Sequence, residues 1–83
     1  MFTMFYTYIL QSNKNNKYYV GSCENINKRL MMHNKGLVKS TKNGIPWKVL
    51  FTEEFSDRSS AFKREKQIKS WKKRSAIEKL INK

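Results

Sequence analysis

A chain of 83 residues has room for one domain with one modest core, and an aromatic content of 13% with 39% hydrophobic residues argues against disorder. Eighteen Lys and Arg against six Asp and Glu give a net charge of +12, which points to a polyanionic partner, nucleic acid before an anionic membrane surface. One cysteine, Cys23, and one histidine, His33, exclude an internal disulfide and a Cys/His zinc cluster, so no disulfide-linked partner is expected and any metal must be held mainly by oxygen.

In chain order, Phe5 to Leu10 is rich in aromatic and β-branched residues and reads as a strand. The polar stretch Gln11 to Lys17, with Asn13, Asn15 and Asn16, supplies a turn, and Tyr18 to Cys23 a second strand, so the two form an antiparallel hairpin. A helix starts near Glu24 or Asn25 and stops at Gly36, a natural residue beyond a helix end. Residues 36–47 read as an irregular loop containing two of the three glycines and the only proline. Lys48 to Phe55 is a third strand, Asp57 to about Trp71 a second helix capped by Ser56 or Asp57, and Ser75 to Ile81 a short last helix. The expected architecture is α/β: a three-stranded antiparallel sheet flanked by helices, in the order ββαβαα, as a single domain over residues 1–83. No apolar run approaches the roughly 20 residues of a spanning helix, so no membrane segment is expected. The apolar opening MFTMFYTYIL lacks the flanks of an export signal, and the expected location is the cytoplasm.

Two helices carry polar residues where apolar ones belong. At roughly 100° per residue, Glu65 falls within the arc formed by Ala61, Phe62, Ile68 and Trp71. A carboxylate there is costly unless it is paired or bound to a cation. On the first helix Arg29 and His33 are an i, i+4 pair on the inward side with Ile26 and Leu30, so they can converge on one point. The guanidinium is a fork suited to phosphate oxygens. The ordinary alternative is structural: Arg29 forms an ion pair with Glu65, and His33 is a satisfied core or edge histidine. In the hairpin Tyr6 and Tyr8 share one face, and Tyr19 shares a face with Gly21. Sheet packing is sufficient explanation for Tyr6 and Tyr18.

Tyr19-Val20-Gly21-Ser22, followed by Arg29 and then His33, resembles the second half of the signature of the GIY-YIG nucleases. Tyr8, in Tyr6-Thr7-Tyr8-Ile9-Leu10, falls where the first motif's tyrosine stands, and Glu65 matches the family's metal-binding glutamate. The resemblance extends from Tyr6 to Ile81 and is closest to the small stand-alone bacterial, excision-nuclease-like members. Tyr6 and Thr7 replace the Gly and Ile of the first motif, and Asn82 alone is available as the family's late asparagine.

The resemblance implies metal-dependent hydrolysis of phosphodiester bonds, with DNA ahead of RNA as substrate and little sequence specificity. Carried over residue by residue, Glu65 holds one Mg²⁺ or Mn²⁺, Arg29 stabilises charge on the phosphate, and Tyr8 or Tyr19 takes a proton from water with His33 assisting. Arg29, the metal and the +12 background are expected to draw the tyrosine hydroxyl's pKa down. Residues 58–83 hold ten Lys or Arg and two acids, a candidate phosphate track that includes Lys69. Lys35, Lys39 and Lys42 are candidates to line the other side of a groove. The competing readings are a nucleic-acid-binding module of the same fold without catalysis, and a basic protein of membrane surfaces or interactions.

Overall fold

The computed structural model describes residues 3–82, so Lys83, the last member of the basic terminal segment, lies outside them. Its elements are β1 (Phe5–Ser12), β2 (Tyr18–Cys23), α1 (Ile26–Asn34), a 3₁₀ helix (Lys39–Gly44), β3 (Trp47–Phe55), α2 (Arg58–Ser70) and α3 (Arg74–Ile81). The order ββαβαα holds; β1 runs two residues and β3 one residue longer than the sequence indicates, and β2 has the bounds read from it.

The strands form one antiparallel sheet, β2-β1-β3. β1 is central and covered on both faces, and accordingly Thr7, Tyr8, Ile9 and Leu10 are all buried. Tyr8 and Leu10 join Cys23, Trp47, Ile26, Leu30 and Val49 beneath α1. Ile9 and Val20 join Ile68, Leu80, Phe51, Trp71 and Ile77 beneath α2 and α3. Leu50 is the extra residue of a bulge, since Ile9 pairs with Phe51 and Leu10 with Val49. Val49 and Phe51, which strict alternation puts on one face, therefore join opposite cores.

The helix ends follow local chemistry. Asn25 caps α1 by accepting from the Lys28 N–H at 3.0 Å, and Asp57 caps α2 by accepting from the Ser60 N–H at 2.7 Å. Beyond α1, Gly36 adopts φ +77°. The Gly36 and Leu37 N–H groups then bond the His33 and Met32 carbonyls, closing the helix one residue past its cap. α2 is pinned across β1 where the Thr7 hydroxyl donates to the Ala61 carbonyl at 2.7 Å, both residues being buried.

The stretch read as an irregular loop contains the 3₁₀ helix, and long-range bonds hold it. Trp47 Nε1 donates to the Thr41 carbonyl at 2.8 Å, and Ser12 Oγ donates to the Gly44 carbonyl. The Asn34 side chain behaves like a short strand, accepting from the Trp47 N–H at 2.7 Å and donating to its carbonyl at 3.0 Å. The loop is thereby fixed beside the C-terminal turn of α1. Among the described residues no helix is long and apolar enough to cross a membrane.

Candidate active site

Tyr8 on β1 pairs with Gly21 on the edge strand β2. Its ring lies across that glycine: a Cβ there would stand 2.5 Å from the phenol oxygen and 2.6 Å from Cζ. Only the missing side chain lets the phenol pass over β2.

The Tyr8 hydroxyl reaches His33 Nε2 at 3.0 Å, and His33 Nδ1 reaches Thr41 Oγ1 at 2.7 Å. Thr41 Oγ1 also lies 3.3 Å from the Val38 carbonyl, and with its hydroxyl proton turned there its oxygen is left to accept. The network thus assigns the imidazole proton to Nδ1, and Nε2 accepts from Tyr8. Burial pushes the His33 pKa below the usual imidazole value, with Arg29 acting in the same direction, so the neutral ring is favoured. Burial pushes the Tyr8 phenol above its usual value; Tyr19, Cys23 and Glu65 add to this, and Arg29 alone opposes. For Tyr8, then, burial outweighs the downward pull expected from Arg29. A phenolate removed from water loses more solvation than one guanidinium returns.

His33 therefore links stability to pH. Its folded pKa lies below the unfolded value of 6.5, so its contribution is fully present above 6.5 and is lost as pH falls through the folded value. Thermal unfolding from pH 7 to 5 should show wild type losing more stability than His33→Gln; parallel losses would mean that the imidazole is not held neutral.

The half-buried Tyr19 completes the cluster, its ring centroid 5.0 Å from His33 and 6.4 Å from Tyr8. Glu65 comes from the other side of the sheet. Its Oε1 accepts from the Ser22 hydroxyl and its Oε2 from the Lys69 ammonium, each at 2.7 Å, and its side chain is 12% exposed. Ser22 belongs to β2, so the carboxylate sits at the sheet's free edge. The Lys69 ammonium also lies 5.7 Å from the Tyr19 ring centroid, and so joins the acid on one face to the phenols on the other around that edge.

The ion pair between Arg29 and Glu65 does not form, and among the described residues Arg29 has no ion-pair partner. It lies one turn before His33 and lines an open cavity of about 680 Å³ with Tyr6, Cys23, Asn25, Lys28 and Met32. Lys35, Lys39 and Lys42 are exposed at the end of α1 and along the 3₁₀ helix. They lie on the His33 side of the sheet, and their side chains bond none of the cluster. Asn82 ends α3 and lines a separate hollow with Ser75, Glu78 and Lys79. Tyr6 and Tyr18 pack on the two cores, as their strand positions imply.

Two contributors escaped the sequence reading. Thr41 braces the histidine from within a polar loop, and nothing local marks it. Ser22 holds the carboxylate; alternation puts it on the face opposite Gly21, but nothing local marks β2 as the edge strand beside α2.

Residues 4–80 match the family described as the GIY-YIG catalytic domain. A UPF0213 protein of Staphylococcus saprophyticus is 36% identical over 78 residues, covering 93% of each chain. A UPF0213 protein of Staphylococcus haemolyticus is 34% identical over 73 residues, covering 87% of this chain and 88% of that one. The solution NMR structure of a UPF0213 protein from Bacillus halodurans superposes with a TM-score of 0.60 at 25% identity, covering 95% of this chain and 83% of that one. The match spans Tyr8 and Tyr19 of the hairpin, α1 and the glutamate of α2, and on that extent the chain belongs to the GIY-YIG family.

Proposed function

We propose that this protein is a metal-dependent endonuclease that hydrolyses phosphodiester bonds in DNA with little sequence specificity, acting in the cytoplasm. The observation that carries this reading is the Tyr8 hydroxyl bonded to a neutral, braced imidazole, on the sheet edge to which α2 brings Glu65.

The base is a relay. As the Tyr8 oxygen takes a proton from the attacking water, its own proton moves along the 3.0 Å bond to His33 Nε2. Thr41 holds Nδ1–H so that Nε2 stays free to receive it. The raised phenol pKa is no obstacle on this route, because no free phenolate has to accumulate. Tyr19 stands beside the pair as the second phenol of the pocket. Arg29, at the cavity wall and without an ion-pair partner among the described residues, is placed to meet the phosphate oxygens as they gain charge.

Among the described residues no three His, Cys, Asp or Glu side chains gather round one point. Glu65 offers a single carboxylate with little exposure. That donor set fits Mg²⁺ or Mn²⁺, which keep several waters and accept phosphate oxygens as ligands. When bound, such an ion supplies Lewis-acid polarisation of the phosphate. Lys69 occupies Oε2 and must release it for that to happen.

Purified protein should nick supercoiled plasmid in Mg²⁺ or Mn²⁺ and not in EDTA. Arg29→Ala should slow nicking about 10²- to 10³-fold, the loss typical of one transition-state donor. Wild-type protein that binds the plasmid and never cuts it would instead be a binding module of the same fold.

A further inference from the structure

Beside the phenol cluster, a hollow of about 410 Å³ opens along the free edge of β2 toward the corner between α2 and α3. Tyr18 and Tyr19 form one wall, and Lys17, Lys69, Lys72, Lys73 and Arg74 supply five cations. No acid lines it. We infer that this hollow is a phosphate-binding subsite for the nucleic-acid strand flanking the bond to be cut; the inference rests on the nuclease reading for its purpose but concerns binding alone.

Three features support a built site over a solvated lysine surface. The first is backbone conformation. Lys72 follows the end of α2 with φ +53°, a place where glycine carries no steric penalty and any residue with a Cβ does. The chain puts a cation there at a cost to its own backbone.

The second is Arg74, two residues later. Its guanidinium lies 4.2 Å from the Tyr18 ring centroid, and its Nη1 donates to the Asn16 carbonyl at 2.7 Å. Asn16 is the other non-glycine residue at positive φ among those described, at +63°. One left-handed residue thus holds the guanidinium of the hollow through its carbonyl, and the other lines the hollow with an ammonium. Glu78 approaches Arg74 at 3.7 Å, with both side chains half exposed, so the pairing is loose enough for a phosphate to displace.

The third is continuity. Lys69 lines the hollow and also touches the Glu65 carboxylate. A strand seated on the cations is thereby led, past Lys69 and Tyr19, toward the edge where Glu65 and the phenols stand. Phosphates bound by such cations carry no base identity, in keeping with cleavage of low sequence specificity.

The test is fluorescence anisotropy with labelled single-stranded and duplex oligonucleotides in EDTA, where cutting cannot intervene, over a range of salt. Lys72→Gly should raise Tm, by relieving the left-handed backbone, and weaken binding about threefold to tenfold. The slope of log K against log[salt] should shrink by roughly 0.7 to 0.9, one phosphate contact. Lys48→Ala removes the same charge from β3, at the opposite edge of the sheet, and should weaken binding less. Equal losses in the two variants, or an unchanged slope in Lys72→Gly, would overturn the subsite. So would a fall in Tm, or loss of binding to phosphatidylserine vesicles with oligonucleotide binding intact. Wild-type protein that shows this binding pattern and never cuts would sink the nuclease reading and leave the subsite standing.

Discussion

Glu65→Ala is expected to reduce metal-dependent cleavage by at least about 10³-fold, given what one lost ligand or transition-state donor costs such a site. The same change should scarcely affect folding. Glu65 has two partners, the Ser22 hydroxyl and the Lys69 ammonium. The Ser22 side is part-buried, but Lys69 is 48% exposed and swings into water when the acid is removed. A pair of that kind contributes no more than about 1 kcal/mol. Binding of nucleic acid should tighten, because an acid has gone from a chain of net charge +12 and Lys69 is released toward the phosphate. Tighter binding, unchanged folding and lost cutting together distinguish a metal-binding carboxylate from a structural one. Unimpaired cleavage by Glu65→Ala would remove the acid from the mechanism. Glu65→Gln refines the result, since it keeps an acceptor for Ser22 while losing the charge.

That experiment turns on a residue whose anomaly was visible in the sequence and whose surroundings were not. Element order was legible because the signals for it are local: the asparagine-rich turn between two aromatic strands, Asn25 and Asp57 as caps, Gly36 as terminator. Three things were not legible, each for a tertiary reason. The helical arc places Glu65 among Ala61, Phe62 and Ile68, yet Phe62 is 46% exposed and Glu65 lies at the sheet's rim. The inward face of α2 is cut short where the three-stranded sheet ends, and numbering carries no information about that edge. The 3₁₀ helix over Lys39–Gly44 depends on Ser12 and Trp47, one of them far along the chain, so its own Gly-, Ser- and Asn-rich composition reads as loop. The upward shift of the Tyr8 phenol was not legible because the cations are evident in the composition, whereas the burial that outweighs Arg29 appears only when β1 is found at the centre of the sheet. His33 shows the same logic with a better outcome. Its helical phase with Ile26 and Leu30 put it on the inward face, and its partners Tyr8 and Thr41 come from 25 residues before and eight after.

The close approach of Tyr8 to β2 makes Gly21→Ala the second large expected effect. Gly21 is needed here for space, in contrast to Gly36, whose φ of +77° is what asks for glycine. A methyl at position 21 meets Tyr8 Oη at 2.5 Å, Cζ at 2.6 Å and Cε2 at 3.0 Å, so the whole outer ring must move. The ring is 3% exposed and is bounded by Tyr19 and His33, with centroids 6.4 and 6.0 Å away. Overpacking of this kind costs about 1–3 kcal/mol, and for a domain of this size each kcal/mol lowers Tm by roughly 4–8 °C. Whatever shift relieves the contact also pulls the hydroxyl off His33 Nε2. Displacement of a reacting group by about 1 Å is worth on the order of 10² in rate, so cleavage should fall at least that far at temperatures where the variant is still folded. A second substitution separates the two losses. In the Gly21→Ala background, Tyr8→Leu removes the ring atoms that clash and should recover most of the lost Tm. It should recover none of the cleavage, because the proton relay has lost its first member. Cleavage returning with stability would mean that Tyr8 serves only as packing and that the base is another group, with Tyr19 the first to test.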